Sequence, residues 1–183
     1  MAVSYLNRLA MLRELAPRLG KGRAGERAKR KPRVFVMGYP GTNQAGTLGD
    51  LNAEKSYSAM AVHMNTVAGN EMLVLQGATR YPGVNVFGLN PGLIKTNIRD
   101  NFFGKDSLKS RVMETIIGWF TPTPRKYASR IVPLLVSADL ETHSTALFNQ
   151  KGAAIQRSPK LADATHVAKF LAESEALVAK ITS

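Results

Sequence analysis

Residues 84–97 read VNVFGLNPGLIKTN, and the break in this string at Pro91-Gly92 decides the fold class. The run Val84 to Leu89 is β-branched and apolar, as a buried strand should be, and it ends abruptly. Proline cannot donate to a sheet ladder, and glycine permits backbone angles closed to other residues. From Asn90 onward the chain is therefore a loop outside the carboxyl end of a strand. In open parallel sheets ligands bind there, and a short loop with bare backbone and the hydroxyl of Thr96 suits a planar amide. A loop of this kind also serves as a plain strand stop, with Thr96 capping the next turn.

Working outward, the sequence predicts a helix over 3–19, a linker over 20–32, a strand over 33–37, a loop over 38–53 and a helix over 54–79. After the strand 84–89 and its loop come helices near 107–119 and 124–138, a strand near 145–149 and a terminal helix over 161–181. The order αβαβααβα favours a parallel sheet.

A chain of 183 residues has the length of a single domain. An apolar fraction of 44%, with no apolar run near the roughly 20 residues of a membrane helix, points to a globular protein without a membrane span. The absence of cysteine excludes disulfides, thiol catalysis and zinc-thiolate sites. His63, His143 and His166 are scattered without ligand spacing, so no metal site is expected. Arg8 and Arg13 interrupt what a secretory signal would keep apolar, and a cytoplasmic location is expected.

The net charge of +12 is concentrated. Arg18, Lys21, Arg23, Arg27, Lys29, Arg30, Lys31 and Arg33 face one acid, Glu26, so the segment 18–33 alone contributes +7. Interspersed glycines and Pro32 give it the composition of a solvated connector. Nucleic-acid binding by stacking would want aromatic residues among the charges, and none lie between Arg18 and Pro32. Weak, salt-sensitive attraction for polyanions arises from clustered cations alone.

VNVFGLNPGLIKTNI (84–98) resembles the sixth strand and following loop of the short-chain dehydrogenase/reductase family. TPTPRKYASRIVPLLVSAD (121–139) is similar to the helix after that family's substrate loop, and LETHSTALFNQKG (140–152) to its last core strand. PRVFVMGYPGT (32–42) resembles the fifth strand, and SYLNRLAMLRELAPRL (4–19) the helix before it. The resemblance implies a partial Rossmann-like doubly wound α/β fold, one domain over 1–183 with the basic linker 20–32, built on the last three parallel strands. By the same resemblance the chain starts at the family's fourth helix and lacks its first four strands, on the order of 100 residues. The strand VFVM would then have one bare edge, which invites self-association.

For function, the resemblance implies an oxidoreductase that uses NADP or NAD on a carbonyl or alcohol substrate. Asn90, Pro91, Gly92, Ile94 and Thr96 are the expected nicotinamide contacts. Phe102, Phe103, Trp119 and Phe120, in the loop 99–120, would cover an apolar substrate. Catalysis in the family uses a Tyr, a Lys four residues later that lowers its pKa, and a Ser. A phenol with pKa about 10 is ionised to roughly 0.1% at pH 7, so the cation matters. Here Tyr57 is the candidate proton donor, but Ala61 stands four residues on; counting back from the Pro-Gly loop puts Ala61 and Asn65 at the pair instead. Thr42 is the hydroxyl offered in place of the Ser, and Asn7 corresponds to the asparagine of the family's proton relay. No glycine-rich turn of the kind that cradles a pyrophosphate comes after a strand. Two readings stand side by side: a divergent oxidoreductase, and a non-catalytic, self-associating interaction module.

Overall fold

The structure, a computed structural model, describes residues 1–25, 29–92 and 122–182. Its centre is the pair that the Pro-Gly break announced. Strand β1 (Arg33–Met37) and strand β2 (Asn85–Leu89) run parallel in the register Arg33↔Asn85 through Met37↔Leu89. Every residue of β2 is buried, as befits a strand covered on both faces. Strand β3 (Leu147–Phe148) joins β2 in parallel, and β4 (Ala154–Ile155) pairs β3 antiparallel, giving the order β1-β2-β3-β4.

The fourth strand corrects the expected three. Asn149 turns the chain back on itself: its side-chain Oδ1 accepts from the N–H of Lys151 at 2.9 Å and of Ala153 at 3.1 Å, and Gly152 takes φ +78°. The returning strand is two residues long, too short to leave a period in the sequence.

Three helices cover one face. Helix α1 (Asn7–Leu15) is preceded by a wide helical turn at Ala2–Leu6 and succeeded by a tight one at Ala16–Arg18. Helix α2 (Ala59–Leu75) is buried on all sides from Asn65 to Val74, because it lies between the sheet and the outer helices. It begins five residues later than expected. Asp50 accepts hydrogen bonds from the backbone N–H groups of Glu54 and Lys55, which holds them in a turn, and Ser58 caps the helix by accepting from the N–H of Ala61. A short helix, α3 (Gly77–Arg80), leads into β2.

The opposite face is covered by α4 (Pro124–Val136), whose Pro124 sits in the first turn behind the cap Thr123. Tyr127 and Ile131 of α4 pack with Phe87, Leu89 and Phe148. The last helix, α5 (Ala164–Thr182), lies over α1 and α2 and sends Val167, Phe170, Leu171 and Val178 into a core shared with Tyr5, Leu9, Ala68 and Met72. Helices on both faces of a mostly parallel sheet make this a partial Rossmann-like α/β fold. Among the described residues no helix is long and apolar enough to cross a membrane.

Candidate functional site

Three loops leave the carboxyl end of the parallel strands together. Gly38 donates to the carbonyl of Leu89 at 3.0 Å, so the loop after β1 starts in register with the end of β2. Asn90 then holds three segments at once. Its backbone N–H reaches the carbonyl of Phe148 at 2.7 Å, its Nδ2 donates to the carbonyl of Pro40 at 3.3 Å, and its Oδ1 accepts from the N–H of Gly92 at 3.0 Å. Gly92 sits at φ +61° against the side chain of Gln150, where an added Cβ would come within 3.3 Å. The Asn90-Pro91-Gly92 loop is thus a tied turn at the place where open α/β sheets take ligands.

The loop after β1 is held by a buried carboxylate that sequence reasoning missed. Glu71 of α2 is 2% exposed. Its Oε1 accepts from the N–H of Ser158 at 2.6 Å, and its Oε2 from the Ser158 hydroxyl at 2.7 Å and the N–H of Gly41 at 2.9 Å. The Ser158 hydroxyl in turn accepts from the N–H of Asn43. At Gly41, which takes φ +77°, an added Cβ would come within 3.0 Å of the Ile155 side chain and 3.3 Å of the carbonyl of Gln156. One signal for this cluster was in the sequence: Glu71 is the single acidic residue in the stretch 59–75.

The expected catalytic residues do not converge. Thr42 spends its hydroxyl on the carbonyl of Tyr39, next to Gly41 and hence next to Glu71. Glu71 is twelve residues beyond the first residue of α2, about 18 Å along the helix axis. Tyr57 precedes that first residue, is 78% exposed and lies outside the helix it was expected to open. Asn7 is exposed at the head of α1. Asn65, at the position expected for the lysine, is 2% exposed and engaged at both ends of its amide: its Nδ2 donates to the carbonyl of Leu51 and its Oδ1 accepts from the N–H of Thr47. Ile94, Thr96, the helix near 107–119 and the aromatic residues of the loop 99–120 lie outside the described residues.

Open clefts lie elsewhere among the described residues. One of about 380 Å³ lies between Gln76, Thr145, Leu147, Ile155 and Arg157, and one of about 400 Å³ between the loop 49–55 and Glu173, Leu177 and Lys180 of α5. Neither is lined by Asn90 to Gly92. The hydroxyl of Tyr127, buried among Leu89 and Phe148, has no hydrogen-bond partner among the described residues, and burial raises its pKa.

No family model matches the chain. A Saccharomyces cerevisiae protein named as an uncharacterized oxidoreductase is 48% identical over 181 residues, which cover 98% of this chain and 58% of that protein. The chain therefore spans less than two-thirds of the curated relative it matches.

Proposed function

We propose that the chain supplies the nicotinamide side of an NAD(P)-dependent oxidoreductase of short-chain dehydrogenase/reductase type, acting on an apolar carbonyl or alcohol. The observation that carries this reading is the tie between Asn90 and Pro40, which sets the loops after β1 and β2 side by side at the carboxyl end of the sheet. The 48% identical relative, named as an oxidoreductase, supports the same class.

The fit to a dinucleotide is half complete. The tied Pro-Gly turn has the shape to border a carboxamide, but the side chain of Asn90 and the N–H of Gly92 are spent on each other and on Pro40. Contact would fall to the groups after Gly92, Ile94 and Thr96. Nothing in the sequence offers the glycine-rich turn that holds a pyrophosphate. A proton relay through Tyr57 has no lysine to support it, so no catalytic step is assigned to this chain's residues.

A second reading, a self-associating module without catalysis, is favoured by Asn65 and by the surface of α1. Asn65 has a structural job where a catalytic lysine would stand, and Met11 and Leu15, one turn apart on α1, are 56% and 46% exposed.

Thermal melting of the chain with millimolar NADPH and, separately, NADH tests the choice. Ligand at 100 times its dissociation constant stabilises by about 2.7 kcal/mol, which raises Tm by several degrees at this size. A shift with either nucleotide supports the oxidoreductase; a cooperative melt unmoved by both, in a protein that sediments as a dimer, supports the module.

A further inference from the structure

The cleft of about 380 Å³ lies beside β3 and β4, at the opposite edge of the sheet from β1, and none of its walls comes from β1. Leu75 closes it from the end of α2, and Leu147 and Ile155 close it from the two paired strands. Leu161, in the turn before α5, and Val167 of α5 complete the apolar wall. Leu147, Leu161 and Val167 are buried by the core behind them, so these walls are fixed before anything enters. Three polar side chains interrupt them: Gln76 brings a carboxamide, Thr145 a hydroxyl and Arg157 a guanidinium. Among the described residues none of these three side-chain ends has a hydrogen-bond or ion-pair partner. Arg157 is the one charged residue among the described residues that line the cleft, and it is exposed.

Thr145 carries a second observation. It takes φ +74°, in the left-handed region where a β-branched residue is strained. Its backbone N–H donates to the carbonyl of Val86 at 2.8 Å, a bond that glycine would make without the strain. That bond gives the fold no reason for a threonine here. The cleft supplies one, because the side chain stands on its wall with its hydroxyl uncommitted.

We propose that this cleft is a binding site for a small organic acid with one carboxylate and a compact apolar body, set apart from the Asn90–Gly92 turn. The forked N–H groups of Arg157 pair the carboxylate on the solvent side, where it stays partly hydrated, and the body lies among Leu75, Leu147, Leu161 and Val167. The amide of Gln76 and the hydroxyl of Thr145 offer further donors to a carboxylate oxygen or to a polar group on the body. One cation and no acid on the described lining match a single negative charge. A phosphate, which has no apolar surface, would leave the walls unfilled. The volume of about 380 Å³ lies near the lower end of the range of ligand pockets, which suits a small molecule rather than a dinucleotide.

The test titrates the full 183-residue chain, labelled at its Leu, Ile and Val methyl groups for NMR, with hexanoate, benzoate, hexanamide and inorganic phosphate in turn. The expected result is a saturable shift of the Leu147, Ile155, Leu161 and Val167 methyls with at least one of the two acids. Hexanamide should bind about 10-fold or more weakly than hexanoate, and phosphate should not move these methyls. Arg157→Gln should weaken the acid by a similar factor and leave Tm unchanged, since the side chain is exposed and without a partner among the described residues. Thr145→Gly should weaken it as well, while Tm holds or rises because the left-handed strain is relieved. Equal binding of hexanamide and hexanoate would overturn the proposal in favour of an apolar cavity that does not select charge. Phosphate binding as tightly as the acids, with loss in Arg157→Gln, would overturn it in favour of a plain anion site. Methyls unmoved by both acids at millimolar concentrations would overturn it outright.

Discussion

Glu71 and Ser158 are 87 residues apart in sequence and joined twice, through the serine N–H at 2.6 Å and its hydroxyl at 2.7 Å. With Gly41 as a third donor, the carboxylate locks the loop after β1 to the segment after β4 across the body of α2. Replacing Glu71 by Gln turns one acceptor oxygen into a donor that meets another donor, whichever way the amide is flipped. Hydrogen bonds to charged groups contribute about 1.5–3 kcal/mol, and a buried unpaired group adds a penalty of similar size. Glu71→Gln should therefore lower stability by about 2–4 kcal/mol, seen in urea as a reduced midpoint at unchanged slope. Ser158→Ala, which keeps the N–H bond, should cost less. Equal losses in the two variants would mean that the carboxylate is not the organising group.

Tyr5 donates to Ser174 from a site that excludes water, and burial holds its phenol above the ordinary tyrosine pKa. The folded state therefore keeps a proton that the unfolded chain releases near pH 10. Stability from this group is complete below pH 10 and falls by about 1.4 kcal/mol for each unit above it until the folded pKa is reached. Tyr5→Phe loses the bond to Ser174, about 1 kcal/mol at pH 7, but escapes the alkaline loss. The two stability curves should converge, and then cross, above pH 10 in a denaturation series. A constant gap from pH 7 to 11.5 would show that Tyr5 does not titrate as a buried phenol.

How much of this could be read from the chain depended on the length scale of each contact. The strands over 33–37 and 85–89 were legible because a β-branched run and a Pro-Gly stop act on neighbouring residues. Pro124 behind Thr123 marked the start of α4 for the same reason. The fourth strand was not legible, since it is two residues held by the turn at Asn149. Nor was the separation of Tyr57 from Thr42: the chain between them is turned by Asp50, and spacing along a sequence says nothing about distance across such a loop. Glu71 gave a local hint, the one acidic residue in its helix, but its partners lie 30 and 87 residues away.

At Gly69, α2 passes close against the amino-terminal helical turn. A Cβ there would lie 2.6 Å from the Tyr5 ring. Alanine gains up to about 1 kcal/mol in helix propensity, while overpacking a filled core costs about 1–3 kcal/mol. The clash should win, because Tyr5 is wedged between Phe170 and Ser174 and cannot retreat. Gly69→Ala is expected to lower Tm, whereas Gly83→Ala, with nothing within 4 Å, should leave it unchanged or slightly raised. A rise for Gly69→Ala would show that the turn at Ala2–Leu6 shifts freely on α2.

Arg33 ties the edge strand to the helix beneath it. Its Nη2 is 2.5 Å from Oε1 of Glu141, its Nη1 donates to the carbonyl of Leu135 at 3.0 Å, and its side chain is only 13% exposed. Two nitrogens of one planar group serve two acceptors, which a lysine cannot reproduce. Arg33→Lys should therefore behave more like Arg33→Ala than like the wild type. A double-mutant cycle with Glu141→Ala should give a coupling of about 1–2 kcal/mol, above the range of exposed pairs because the guanidinium is mostly covered. The carbonyl of Leu135 loses its partner in either arginine variant, so the part of the loss that Glu141→Ala does not share measures that second bond. A coupling near zero would reduce the pair to a surface contact and leave the packing of Phe35 on Phe87 as what holds β1 against the α4 side of the sheet.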